Sequence, residues 1–237
     1  MPENTTVAPI VADEATQTRF GSSRWLSAGE LIVGAAIVIG HNVFRVVPNE
    51  VPILVVLAIV SMRLRNGRWA WDALGFRRPD SWMRVLVFAA AAAALRIVLG
   101  DYVIDPLTSH FWPPAIAPEV ANEVQGQLGT FLLYIPIIWG FAAFGEEIAY
   151  RGYLLDRAAD CGGRSTLAFW IAVVVSAVLF GYGHYYKGPS GIIDSGVAGL
   201  ILGFAYMLSG RNLWVPILAH GFIDTFGLTL AYLGLDS

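Results

Sequence analysis

Charge is what this chain of 237 residues has least of: Asp, Glu, Lys and Arg make up 14% of it, against a hydrophobic share of 56%. A soluble domain carries about a quarter charged residues and just under half apolar ones. The shortage argues against a soluble globular protein, and the mean hydropathy of +0.60 points the same way. Cysteine is also scarce. The single Cys161 excludes an internal disulfide framework and any metal site built from cysteines alone. No run of basic residues suggests a nucleic-acid partner, and no HExxH arrangement is present. The first 24 residues, MPENTTVAPIVADEATQTRFGSSR, lack the basic-then-apolar design of a signal peptide. They read as a short disordered polar tail ahead of a single transmembrane domain over 25–237.

What the chain does have is long apolar blocks. Seven candidate spans follow one another, at about 26–47, 50–62, 82–104, 131–150 or somewhat beyond, 166–184, 192–209 and 213–234. A spanning helix needs roughly 20 apolar residues, so the second, VPILVVLAIVSM, is the shortest case and reads either as a tilted span or as an interfacial helix. The expected fold is therefore an all-α, polytopic transmembrane bundle of about seven spans in a multi-pass integral membrane protein.

Orientation follows from the basic residues. With the N-terminus in the cytoplasm, all but Arg45, Arg96 and Lys187 of the 15 Lys and Arg residues fall on inside segments. Residues 105–130 hold no Lys or Arg at all, as an outside loop should. This predicts a cytoplasmic N-terminus and an external C-terminus, in a bacterial or archaeal plasma membrane.

Ionisable groups inside spans are costly, at about 2.5–3.5 kcal/mol each at the helix centre, and mark either internal pairing or function. Three groups stand at helical spacing. Glu147 and Arg151 are four apart with Glu146 beside them; Phe180 and His184 are four apart; so are His220 and Asp224. Residues four apart share a helix face. Taken singly, Glu147 with Arg151 reads as a structural ion pair, and a lone membrane histidine as a hydrogen-bonded packing residue. Glu30, His41 and Arg96 keep that plain reading. Two carboxylates, an arginine, two histidines and an aspartate on three helical faces make an inventory that proton-transfer chemistry uses and structural pairing does not need.

A carboxylate and a neutral imidazole can share a water, one taking its proton while the other holds it. A second polar pair opposite can stabilise the oxyanion formed when a carbonyl is attacked. Covalent catalysis fits less well, since Cys161 lies in the glycine-containing DCGGRS loop. Two histidines with carboxylates are also a conceivable zinc site.

The ordered motifs EExxxR at 146–151, FxxxH at 180–184 and HxxxD at 220–224 resemble the CAAX prenyl protease and bacteriocin-processing (CPBP) membrane proteins. WDALGFRRP at 71–79 is similar to the LGxR segment that precedes their core, so the resemblance runs over roughly 70–235, with the protease core at about 131–235. It implies a helical intramembrane glutamic endopeptidase related to the Ras-converting enzyme, acting on a peptide or membrane-associated protein. By the resemblance, Glu146 and His184 activate water, and His220 and Asp224 stabilise the oxyanion. Glu147, Arg151 and Phe180 support the site, with no cofactor or metal. The alternatives are a zinc-dependent protease using the same residues and a non-proteolytic membrane scaffold or bacteriocin-immunity protein. Asp224 departs from the Asn of the eukaryotic and archaeal CAAX proteases, so it either acts as a neutral donor or orients His220.

Helical rise raises one geometric question. Counted along regular helices from the inner turns, Glu146 stands roughly 20 Å up, His184 about 30 Å and His220 about 10 Å. Tilts, or a break at Gly181 and Gly183, would be needed to bring the three level.

Overall fold

The structure, a computed structural model, describes residues 23–113 and 120–235. Nearly all of the polar tail therefore lies outside the described residues; Ser23 and Arg24 are its last two, the N-cap and first residue of α1. Among the described residues there is no strand, and the fold is all-α. The helices are α1 (Arg24–Asn42), α2 (Glu50–Asn66), α3 (Trp82–Ser109), a short α4 (Val120–Val124), α5 (Leu128–Cys161), α6 (Thr166–Gly183), α7 (Gly188–Leu208) and α8 (Trp214–Leu233).

Four of the helix starts, those of α1, α2, α3 and α6, carry side-chain caps. Ser23, Asn49, Ser81 and Ser165 each accept a hydrogen bond from a backbone N–H of the first turn, satisfying one of the donors a helix leaves free. Six helices of the described residues are long and apolar enough to cross a membrane. The short second candidate becomes α2, with 17 residues and Arg63 and Arg65 in its last turn. It nevertheless runs antiparallel to α1 along the whole of it. Glu50 at its start accepts from Asn42 at the end of α1 (3.0 Å), and Arg65 near its end donates to Ser27 at the start of α1 (3.1 Å).

The longest helix is α5, with 34 residues. At 1.5 Å per residue it measures about 50 Å, well beyond a hydrocarbon core of about 30 Å. Pro136 lies inside it, lacking an N–H and crowding the preceding turn. From Ile138 to Glu146, and again from Ile148 to Leu154, the helix widens to π-type turns. Such turns are rare and cluster at functional sites. They begin two residues after the proline and run through the EExxxR motif.

α6 and α7 cross closely through small residues. A Cβ on Gly181 would lie 2.7 Å from the Ile192 carbonyl oxygen, and one on Gly199 would lie 3.0 Å from the Ala177 Cα. Backbones approach this near in a bilayer only where side chains are absent or minimal.

The depths of the three motifs close without a break at Gly181 or Gly183, since α6 is continuous to Gly183. α8 does not start level with the Cys161 end of α5. Its N-terminal Leu213 packs against Gly152, about two and a half turns back along α5 from Cys161. The 3-10 turn Trp71–Leu74 fills the space beneath, where the Gly75 carbonyl accepts from Leu213 N–H at 2.9 Å. α5 and α8 are antiparallel, so rising from that shared level brings Glu147 and His220 opposite one another. On the other flank Ser176 of α6 donates to the Tyr150 carbonyl at 2.8 Å. Helical side chains lean toward their own N-terminus, which on α5 carries the Tyr150 ring up to Gly183.

Candidate active site

Glu147 is the centre of the polar cluster. Its Oε1 accepts from Arg151 Nη1 at 2.7 Å, one turn along α5, and from His220 Nδ1 at 2.8 Å across the bundle. Glu147 and Arg151 are 0% and 1% exposed, so neither charge has water to fall back on. The second amino group of Arg151 donates to the Gly199 carbonyl at 3.1 Å, in the seam where α6 and α7 touch. Close packing of small residues thus leaves a carbonyl within reach of a buried cation.

His220 stands between two carboxylates, Glu147 at Nδ1 and Asp224 at Nε2, the latter at 3.5 Å. A hydrogen bond between Nε2 and Asp224 would require a proton there, on the ring or on the carboxyl. The 2.8 Å bond makes Glu147, and not Asp224, the residue that fixes the plane of the ring. Trp139 backs the same turn of α8. Its indole occupies the space a Cβ on Gly221 would take, and its Nε1 donates to Thr225 at 3.1 Å.

Phe180 joins the motifs. Its ring lies 4.9 Å from that of His184, 5.9 Å from His220 and 5.0 Å from Tyr150, and the Arg151 guanidinium sits over it at 4.6 Å. A cation over an aromatic face is attracted by the ring quadrupole, more so when desolvated. His184 follows the last residue of α6, and its Nδ1 contacts the Phe180 carbonyl at 2.9 Å. A carbonyl can only accept, so Nδ1 carries the proton and Nε2 is left with a lone pair. Glu146 is partly buried, and its Oε2, shielded from solvent, has no hydrogen-bond partner among the described residues. The charged groups acting on it are His220, Asp224, Glu147 and Arg151.

The structure therefore gathers Glu147, Arg151, Phe180, His184, His220 and Asp224 by direct contact or through the Phe180 ring, with Glu146 beside them. Two further residues were not singled out by sequence. Tyr150 is one turn beyond Glu146, and its hydroxyl lies 2.6 Å from where a Cβ on Gly183 would stand. Glu50 of α2 reaches within 3.8 Å of the same point and is held by Asn42 (3.0 Å) and by His41 (3.3 Å). A tyrosine in an apolar helix gives no signal in the sequence. Glu50 at the head of the weakest span could have been found only by pairing it with His41. Arg96, as its plain reading held, is paired internally, with Asp194 at 2.5 Å. Among the described residues no three His, Cys, Asp or Glu side chains are grouped as metal ligands.

Six membrane-length helices around a buried ionisable cluster define an integral membrane protein with a polar centre inside the bundle. Residues 128–226 match the model of the family described as type II CAAX prenyl endopeptidase Rce1-like, which supports the resemblance of the motifs to the CPBP proteins. The match runs from the start of α5 to two residues past Asp224, and so contains all three motifs. The family so described is one of peptidases. No curated protein and no solved structure matches the chain.

Proposed function

We propose that this protein is an intramembrane endopeptidase in which Glu146 and His184 activate a water against a peptide bond. The observation that carries the reading is the unpartnered Oε2 of Glu146, in a cluster where Glu147 is held by both Arg151 and His220. An unsatisfied buried acceptor is costly and is kept where a ligand supplies the missing hydrogen bond. His184 Nε2 is a second free acceptor. Two acceptors suit the two protons of one water.

In the step that follows, the water oxygen bonds to the carbonyl carbon as Glu146 takes one of its protons. The carbonyl electron pair moves to oxygen, where a proton shared by His220 and Asp224 serves as the hydrogen-bond donor. The C–N bond then breaks, and the proton held by Glu146 passes to the departing amine. Glu147 keeps the His220 ring in plane and Arg151 holds Glu147 in place. No step runs through a metal, and we propose that none is required; cleavage by purified protein that is lost to a chelator and restored by zinc would refute this.

The substrate is a peptide or a membrane-associated protein reached within the bilayer, and the N-terminus is cytoplasmic. Comparative membrane peptidomics of cells carrying the wild type and Glu146→Gln tests the whole reading. Peptides or trimmed proteins present only with the wild type are expected. Identical peptidomes would favour a scaffold or immunity role instead.

A further inference from the structure

The stretch that joins α2 to α3, RLRNGRWAWDALGFRRPDSWMR at 63–84, has a surface that the peptidase reading does not use. Arg63, Arg68, Arg77, Arg78 and Arg84 are all exposed, while the sixth arginine, Arg65, turns inward to Glu30. Between them stand three exposed indoles: Trp69 (58%), Trp71 (46%) and Trp82 (52%). Trp69 and Trp71 stack at 6.2 Å, and the Arg63 guanidinium lies over Trp69 at 5.9 Å. Only Asp72 and Asp80 oppose this charge within the stretch.

The surface is held in place rather than dangling. Besides the Gly75–Leu213 bond, the Arg77 carbonyl accepts from Asn212 Nδ2 at 3.2 Å. Leu74 and Gly75 are buried beneath α8. The arginines and indoles therefore ring one end of the bundle, where two helices leave the bilayer.

We propose that this rim is a binding surface for the headgroups of anionic phospholipids. Guanidinium groups match phosphate oxygens with paired donors. Indoles settle at the boundary between headgroups and acyl chains, so their interleaving with arginine places the cations at phosphate depth. A leaflet rich in anionic lipid attracts such a segment, whereas the stretch 105–130, without Lys or Arg, offers no counterpart. A nucleic-acid duplex, its bases already stacked on one another, or an acidic peptide would use the arginines but leave the three indoles wet, whereas the bilayer interface takes both.

The rim also touches the centre. The Leu74 carbonyl oxygen lies 3.0 Å from where a Cβ on Gly152 would stand, one residue past Arg151, and Gly75 anchors the start of the helix that bears His220. Lipid that clamps the rim stabilises two walls of the polar cluster.

The test uses the full chain and reads no cleavage, so it stands apart from the peptidase assignment. Arg68, Arg78 and Arg84 make no side-chain hydrogen bond among the described residues, and the variant Arg68→Gln/Arg78→Gln/Arg84→Gln leaves the fold's bonds in place. Native mass spectrometry from an equimolar mixture of phosphatidylglycerol and phosphatidylcholine reports which lipid is retained. Interfacial arginines contribute about fivefold each, so the wild type should prefer the anionic lipid by about tenfold or more and the variant should approach parity. Nanodiscs containing phosphatidylglycerol should raise the Tm of the wild type more than that of the variant. Parity in the wild type, or an undiminished preference in the variant, overturns the proposal. So does displacement of the lipid by inorganic phosphate at equal phosphate concentration, which would make the rim a phosphate site. Displacement by polyglutamate at matched charge would make it a protein-docking surface and overturns it equally.

Discussion

α5 carries two charge clusters, one at Glu146–Arg151 and one in its last turns at Asp156–Asp160, joined by Arg164 just beyond its end, and their carboxylates are satisfied to different degrees. In the second, Asp156, Asp160 and Glu30 face Arg65, Arg157 and Arg164. Every carboxylate oxygen there has a donor: Arg164 and Arg157 on Asp156, Arg164 and Ser27 on Asp160, Arg65 and Ser61 on Glu30. Burial disfavours the charge of Arg164, which lies in the loop beyond α5, yet Asp156 and Asp160 hold its guanidinium above the usual arginine range. In the first cluster Glu146 and Glu147 each keep an oxygen with no donor. A network closed on its carboxylate side, with only Arg157 Nε and Nη1 of its buried polar atoms lacking a hydrogen-bond partner among the described residues, ties α1 and α2 to the end of α5. An open one leaves acceptors for something that arrives.

That contrast predicts what each cluster loses on substitution. The largest effect belongs to the open cluster: Glu146→Gln and His184→Ala should each reduce cleavage by about 10² to 10⁴, with normal insertion and thermal stability. Activity above about a tenth of wild type in either variant would put water activation elsewhere.

Arg151→Ala should reduce both folded yield and activity, since the buried Glu147 would be left with only His220 as partner. Breaking a buried pair costs about 3–5 kcal/mol. A normal melting temperature for that variant would show that water reaches Glu147.

In the closed cluster, Arg157→Ala should lower stability by a smaller amount, about 1–3 kcal/mol, because Arg164 still donates to both aspartates. Cleavage per folded molecule should not change. A loss of turnover in the folded fraction would erase the division between the two clusters.

The smallest effect is expected at Asp224. Glu147 already fixes His220 through the 2.8 Å bond, while Asp224 stands at 3.5 Å, so an amide can replace it as a donor. If the neutral carboxyl donates toward the oxyanion, wild-type activity falls as rising pH ionises it. Asp224→Asn removes that limb and should keep its activity at alkaline pH. Matching pH–rate profiles on one peptide decide the matter, and a uniform drop of about a hundredfold with folding intact would assign Asp224 to orienting His220.

The open cluster was the more legible of the two in the sequence. EExxxR, FxxxH and HxxxD combine helical spacing with charges that stand out against apolar neighbours, and both features survive in one dimension. The helix count was legible for the same reason, down to the weakness of α2. The closed cluster was not, because Ser27, Glu30, Arg65 and Asp160 come from three helices and look like ordinary flanking charges. Nor was the depth of the site. Counting residues from the inner turns assumes that every helix starts at one level, and the docking of Leu213 on Gly152 sets α8 higher. Gly183 read as a possible break; it makes room for the Tyr150 hydroxyl instead.

The widened turns of α5 carry a consequence for how such a chain can change over generations. Between Pro136 and Glu146 the number of residues decides which way the paired carboxylates point. In a helix of regular pitch, gaining or losing one residue swings everything beyond it by about 100°. Most of the apolar side chains here can be exchanged for others of similar bulk, but the interval cannot be lengthened or shortened by one without turning Glu146 and Glu147 away from His184 and His220. For this segment, spacing constrains the site more strictly than spelling.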